Sequence, residues 1–171
     1  MYIQILKPLH LYRSKFATGI MKIEEIIKSN VAIDDAKKVI LNLIYTQSIV
    51  GDKFSELLKP YDLSGEQYNV LRILRGQKGI PANMSIIQER MIAKNSNTTR
   101  LIDKLLLKEL VTREVCPDNR RKMEILVTAK GLAILEDLDP KVDAHEQLFA
   151  ANLNEDEVEE LNRLLEKYRT L

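Results

Sequence analysis

Residues 96–111 read SNTTRLIDKLLLKELV and residues 118–131 read DNRRKMEILVTAKG, and these two stretches decide the fold. The first begins with short polar side chains and continues with apolar residues at helical spacing, which predicts a helix from about Ser96 to Lys108. Its buried stripe is predicted to consist of Thr98, Leu101, Ile102, Leu105 and Leu106. The opposite face carries Asn97, Arg100 and Lys104, flanked by Ser96, Thr99 and Asp103. One face of the helix is thus apolar, and the opposite face, its polar front, is polar and cationic.

A β-hairpin with a basic tip is predicted after this helix. The segment Val111–Cys116 alternates along its length and is rich in β-branched residues, and Met123–Thr128 is β-rich again. Between them, residues 117–121 (PDNRR) have the composition of a turn. The tip is predicted to carry Asn119, Arg120, Arg121 and Lys122. Three adjacent cations on a protruding turn suit the negative potential of a narrow DNA minor groove.

A short helix is predicted before the first stretch. Ser85 and Gln88 have the spacing of a capping box, which predicts a helix from Ser85 to about Met91 and a turn over residues 93–97. Two short helices joined by a tight turn form a helix-turn-helix, and a following hairpin adds a wing. The order of elements therefore predicts a winged helix-turn-helix that binds double-stranded DNA.

The polar front of the second helix, the predicted recognition helix, suits the reading of bases. Asn97 can pair with adenine, Arg100 with guanine, and threonine methyl groups can contact thymine. Ser96, near the helix start, can bind phosphate together with free backbone N–H groups. For this segment alone, a solvated helix start with capping residues is the alternative. The basic hairpin at this spacing favours DNA.

Two helices are predicted before this central unit. Apolar residues at spacings of three, four and seven predict a long helix from Asp34 to Lys59, which Pro60 stops. Ser64 and Gln67 then form a capping box that opens the next helix.

Two more helices are predicted after the hairpin. Thr128 caps a helix that runs to about Ala151, and Pro140 is expected to kink it or split it in two. Asn154 caps the last helix. The apolar stripe of that last helix is Val158, Leu161, Leu164, Leu165 and Tyr168.

The distribution of charge is compatible with a polyanionic partner. Of 171 residues, 26 are Lys or Arg and 25 are Asp or Glu, for a net charge of +1. Residues 129–171 carry 5 Lys/Arg and 11 Asp/Glu, or −6, so the residues before them carry +7. A single cysteine, Cys116, fits a reducing cytoplasm. The sequence predicts neither a signal peptide nor a membrane span, and hence a cytoplasmic protein.

Enzymatic, metal and redox functions are poorly supported. His10 and His145 are the only histidines, and no Gly-rich phosphate loop, HExxH motif or nucleophile elbow is present. We therefore expect no catalytic residues, no cofactor and no bound metal. Cys116 is expected to be structural rather than redox-active, because it lies at the end of a predicted wing strand, directly before Pro117.

The chain resembles the MarR family of bacterial transcriptional regulators over about residues 34–171, most closely from Gln67 to Gly131. The segments that carry the resemblance are QYNVLRIL (67–74), SIIQERM (85–91), SNTTRLIDKLLLKELV (96–111), DNRRKMEILVTAKG (118–131) and ELNRLLEKYR (160–169). The resemblance implies a homodimer that binds a roughly palindromic operator. It also implies repression, and release from DNA by a small aromatic or phenolic compound.

The resemblance also assigns roles to individual residues. It places Asn97 to Arg100 at the major groove and gives Arg121 the role of the wing arginine in the minor groove. The complete set of predicted DNA-binding residues is Ser85, Ser96, Asn97, Thr98, Thr99, Arg100, Lys104, Asn119, Arg120 and Arg121. The family often has Gly after the recognition helix, where this chain has Glu109. If that position is left-handed, Glu costs on the order of 1 kcal/mol there.

The predicted fold class is mainly α with a small two- to three-stranded β wing, a winged helix-turn-helix joined to a helical dimerisation region. Residues 63–128 are assigned to the DNA-binding domain, and residues 34–62 with 129–171 to the dimerisation region. Residues 1–33 are assigned to an N-terminal extension. Residues 1–20 are expected to be a poorly structured segment or an over-called start, with an extra helix covering the dimer as the alternative.

A module for protein–protein interaction without base readout is the second function class that the sequence allows. Such a module predicts weak dependence of binding on salt and no preferred duplex. A DNA-binding regulator predicts steep salt dependence and a preferred site.

Overall fold

The computed structural model describes residues 21–116 and 119–170, and for residues 119–121 it describes the backbone alone. The predictions for residues 1–20 fall outside this range, as do Pro117 and Asp118 of the predicted turn. The helices are α1 (Ile23–Ile26), α2 (Asp35–Leu58), α3 (Gly65–Gly76), α4 (Met84–Arg90), α5 (Thr98–Leu107), α6 (Ala129–Ala150) and α7 (Glu155–Tyr168), with a short 3-10 helix at Lys59–Tyr61. The strands are β1 (Val111–Cys116) and β2 (Asn119–Val127). The fold is mainly α with a small β wing, as predicted.

The chain divides within α2 into two compact units, one reaching to Ser48 and the other starting at Ile49. In the first unit, Ile23 of α1 is buried, and the Lys38 ammonium pairs with the Glu24 carboxylate at 2.7 Å. Helix α2 begins one residue after the predicted start, and Asp34 precedes it as a cap whose carboxylate accepts a hydrogen bond from the Lys37 backbone N–H.

The second unit holds the main hydrophobic core. Four of its elements contribute side chains that are completely buried: Val70 and Leu71 of α3, Ile102 and Leu105 of α5, Ile125 of β2, and Leu135 and Leu138 of α6. The capping box that opens α3 is confirmed, since Ser64 accepts from the Gln67 N–H and the Gln67 side chain accepts from the Ser64 N–H. The core thus holds α5 against α3 and β2.

The wing is an antiparallel pair of strands, β1 and β2, in which Val111 pairs with Val127. One further bridge joins Ala82, just before α4, to Ile125 of β2. The backbone groups of Ala82 and Ile125 exchange two hydrogen bonds, of 3.0 Å and 2.8 Å. The predicted two- to three-stranded wing is therefore confirmed, with the third strand reduced to one residue.

Helix α6 is continuous through Pro140, so the predicted split is wrong. Thr128 caps α6 as predicted, because its side-chain oxygen accepts from the Gly131 N–H. Asn154 caps α7 in a full capping box with Glu157. Within the described residues, no helix has both the length and the apolar character needed to span a membrane.

Candidate nucleic-acid interface

Helix α4 begins one residue before the sequence predicted, at a different cap. Asn83 accepts a hydrogen bond from the Ile86 N–H at 3.0 Å and is the N-cap. Ser85 is therefore an exposed residue of the first turn, and the predicted Ser85–Gln88 capping box is wrong. The reason is tertiary, since pairing of the neighbouring Ala82 with Ile125 fixes where the helix starts. Ser85 remains available at the surface.

The recognition helix, α5, starts at Thr98, with Asn97 as its N-cap. The side-chain oxygen of Asn97 accepts the Arg100 N–H at 3.0 Å. A bidentate pair with adenine needs that oxygen as an acceptor, as well as the amide NH₂ as a donor. Asn97 is exposed, and its cap bond uses one of the two lone pairs of the oxygen and leaves the NH₂ group to donate, so its contact with adenine stays a prediction.

Thr98 points into the protein, with only 5% of its surface exposed. Its hydroxyl donates a hydrogen bond to the side-chain oxygen of Gln88 on α4. Its predicted place in the buried stripe is confirmed, whereas its predicted place on the DNA-facing surface is wrong. Thr98 lies in the first turn of α5, and the packing of α5 on α4 determines the direction of its side chain.

The outer face of α5 presents Thr99, Arg100 and Lys104, which are all exposed. Arg100 and Lys104 are four residues apart and so share one side of the helix. Among the described residues, neither of these two cations has an ion-pair partner. Ser96, before the helix, is half-buried. The exposed face therefore offers a hydroxyl and two unpaired cations to a partner.

The wing is attached directly to this helix by an ion pair. The Arg113 guanidinium of β1 donates to the Asp103 carboxylate of α5 at 2.7 Å. Asp103 follows Arg100 by one turn of α5, so the pair joins the wing to the exposed face of the recognition helix. The sequence analysis missed this contact, because a pair ten residues apart depends on how β1 returns past α5.

The basic residues of the hairpin belong to a strand rather than to a turn. Strand β2 begins at Asn119, which pairs with Cys116, whereas the sequence predicted a strand from Met123. Cys116 pairs with Asn119 and Val115 with Met123, so Arg120, Arg121 and Lys122 lie in an irregularity of the strand between these two pairs. Lys122 is exposed, and the side chains of the three preceding residues lie outside the described part of the chain.

Glu109 closes the recognition helix in a left-handed conformation, with φ at +60°. The backbone geometry expected from the family is thus present without the glycine. The Glu109 carbonyl accepts a hydrogen bond from the Thr128 hydroxyl at 2.8 Å, and the carboxylate pairs with Lys130 at 2.9 Å. These contacts link the end of α5 to the start of α6.

Residues that could bind a metal do not come together in the described residues. No group of three or more His, Cys, Asp or Glu side chains lies close enough to hold an ion there. Asp139 pairs with Arg75, and the His145 ring lies between those of Phe54 and Phe149, at centroid distances of 5.4 Å and 5.2 Å.

An exposed recognition helix, a preceding helix joined to it by a turn, and a two-stranded wing held beside it define a winged helix-turn-helix protein. The model of the MarR family matches residues 63–123. The multiple antibiotic resistance protein MarR of Salmonella typhimurium is 31% identical over 129 residues, covering 73% of this chain and 87% of that protein. The chain belongs to the MarR family of DNA-binding transcriptional regulators.

Solved structures agree with this assignment. A MarR transcription factor from Planctomyces limnophilus is 32% identical, with a TM-score of 0.62 over 80% of this chain and 98% of that one. BpsR of Bordetella bronchiseptica has a TM-score of 0.72 over 82% of this chain and 99% of its own. BpsR is 21% identical, so its likeness concerns the fold alone.

Proposed function

We propose that the chain is a repressor that binds a pseudo-palindromic DNA operator as a homodimer. The observation that carries the proposal is the ion pair between Asp103 and Arg113, which holds the wing beside the exposed face of α5. Thr99, Arg100 and Lys104 then approach a major groove while the wing approaches the flanking minor groove. Each copy reads one half-site.

The roles within the interface follow from the chemistry of each side chain. Arg100 contacts guanine, and the Thr99 methyl group contacts thymine. Lys104 neutralises phosphate, as a flexible point charge does. Ser85, Ser96 and the NH₂ group of Asn97 donate to phosphate oxygens. The wing residues Asn119, Arg120 and Arg121 serve the minor groove, with Arg121 inserted.

Exposed apolar side chains support the homodimer. On α7, Leu161, Leu164 and Tyr168 are 46%, 47% and 46% exposed. On α2, Ile40 and Ile44 are 45% and 61% exposed. Such stripes cost free energy in water and mark surfaces that another protein covers. Residues 34–62 and 129–171 then form the dimerisation region, and residues 63–128 form the DNA-binding domain.

A small aromatic or phenolic effector is proposed to release the operator. A cleft of about 870 Å³ lies among the end of α2, the start of α3 and the end of α5, and its lining includes Lys104 and Leu107. A compound there would contact the recognition helix itself. DNA binding of BpsR is regulated by 6-hydroxynicotinic acid, which supports a ring-containing effector for this fold.

Selection from random duplexes with the purified chain tests the proposal. We expect an enriched, roughly palindromic site, bound with a logarithmic salt slope of about −0.9 for each phosphate neutralised. Arg100→Ala should weaken binding to that site by roughly 1–3 kcal/mol and relax preference at one base position. Arg163→Ala, on the distant helix α7, is the matched control and should bind normally. No enriched site and a shallow salt slope would favour the protein-interaction module instead.

A further inference from the structure

The turn of the helix-turn-helix has little apolar packing of its own. Met91 is buried at one end and Thr98 at the other, at 1% and 5% exposure, but the residues directly after Met91 face solvent. Ile92 is 86% exposed. Hydrophobic burial therefore anchors both ends of the turn but does not fix the path between them. Polar contacts are therefore needed to fix the path of the turn between these two ends.

One side chain, Gln88 of α4, makes contacts with both the turn and the recognition helix. Its NH₂ group donates to the Lys94 carbonyl at 2.6 Å. Its oxygen accepts from the hydroxyl of Thr98, the first residue of α5. A third contact holds the start of the turn, where the Asn69 side chain of α3 accepts the Ile92 N–H at 3.2 Å.

We infer that Gln88 is a positioning residue for DNA recognition, which locks the turn and the first residue of α5 into one arrangement through its amide. The inference rests on the proposed DNA-binding function. Thr99 and Arg100 directly follow the residue that Gln88 holds. A shift at Thr98 is therefore passed to both of the side chains that face the bases.

The two hydrogen bonds of Gln88 require a side chain of this length that ends in an amide. Thr98 is buried, so its hydroxyl loses its water partners and needs an acceptor within the protein. The Lys94 carbonyl accepts a hydrogen bond from the same amide. Methionine matches the shape of glutamine but supplies neither group, and valine matches threonine without the hydroxyl. Serine at position 98 retains the hydroxyl.

Binding measurements on four variants test the inference. Gln88→Met and Thr98→Val should each lower the ratio of operator affinity to scrambled-duplex affinity about tenfold, because base readout depends on geometry more than phosphate contact does. The double variant should lose no more than Gln88→Met alone, since Gln88→Met already removes the contact that Thr98→Val breaks. Thr98→Ser should stay within twofold of the wild type. An unchanged ratio in Thr98→Val, or an equal loss on both duplexes, would overturn the inference.

Hydrogen exchange in the DNA-free protein separates the lock from the proposed function. The amides of Arg100 and Leu101, which are hydrogen-bonded to Asn97, should exchange faster in Gln88→Met than in the wild type, while the amide of the core residue Leu71 is unaffected. Equal exchange at Arg100 and Leu101 would refute the positioning role of Gln88. A wild-type protein that cannot distinguish the selected duplex from its scrambled version would instead refute the proposed function, whatever the exchange data show.

Discussion

Glu109 adopts a backbone conformation that residues other than glycine adopt only at a cost in free energy. Its φ of +60° places Cβ close to the following carbonyl oxygen. Glu109→Gly should therefore raise the free energy of unfolding by about 0.5–1 kcal/mol, as the removed strain outweighs the added chain entropy. Urea denaturation measures this change. Glu109→Ala keeps the strain while losing the ion pair to Lys130, and so should give no gain; a gain from alanine would show that strain is not the cause.

Gly131, in the first turn of α6, has no room for a side chain. A Cβ atom there would lie 2.5 Å from the Leu110 carbonyl oxygen and 2.8 Å from Cγ2 of Val127. Gly131→Ala should lower the free energy of unfolding by about 1–3 kcal/mol, because backbone must move to accept the methyl group. Thermal unfolding provides the measurement.

Gly76, at the end of α3, provides the matched control for that substitution. A Cβ atom at Gly76 would meet no atom within 4 Å. Gly76→Ala should therefore be neutral or slightly stabilising, since alanine has the higher helix propensity. If both alanine variants were destabilised equally, steric closeness at Gly131 would not be the explanation.

Among the elements, α3 and α6 are joined by a bidentate ion pair. Both terminal nitrogens of Arg75 donate to the Asp139 carboxylate, at 2.7 Å and 2.9 Å. Hydrogen bonding from Arg75 holds the pKa of Asp139 below its usual value, and the pKa of Arg75 is raised by the same contact. The pair thus joins α3, the helix that precedes the helix-turn-helix, to α6, the long helix that follows the wing.

The pH dependence of stability should report on this pair. An aspartate with a lowered pKa in the folded state stabilises above its unfolded pKa of about 3.9, and this stabilisation is lost as pH falls through the folded pKa. Because both side chains are partly exposed, Asp139→Asn should cost only about 0.5–1 kcal/mol at pH 7. The difference between wild type and variant in urea midpoint should shrink toward pH 3. Glu160→Gln, which breaks an exposed pair within α7, should change the midpoint little; a constant gap for Asp139→Asn at all pH values would contradict the linkage.

Sequence reasoning recovered those elements whose signals are local. The caps at Ser64, Thr128 and Asn154 depend on a few neighbouring residues, and all three were predicted. The start of α4 was not, because Asn83 and Ser85 are both good caps and the choice depends on the bridge from Ala82 to a strand forty residues later.

The candidate interface was predictable in its composition but not in its orientations. Periodicity correctly placed Thr98 in the buried stripe, whereas the side-chain chemistry of residues 96–100 and the resemblance assigned it to the DNA surface. Asn97 has the residue type of a base reader, but the helix start uses its oxygen. The contacts of Gln88 with Thr98, and of Arg113 with Asp103, cross between elements, so they follow from packing that no local pattern encodes.

In the proposed homodimer, the exposed stripe of α7 is the surface that would join two chains so that both half-sites are read together. Leu164 is 47% exposed within one chain, so a glutamate there disturbs little of that chain but buries a charge in any interface that covers the stripe. Leu164→Glu should therefore convert dimers to monomers in sedimentation equilibrium while leaving the helical circular dichroism signal intact. Operator binding should weaken at least tenfold, because a single recognition helix contacts only half of the site. Asn162→Glu adds the same charge to an exposed residue outside the predicted apolar stripe, and should leave both association and binding unchanged. A Leu164→Glu protein that stays dimeric would place the contact between copies elsewhere.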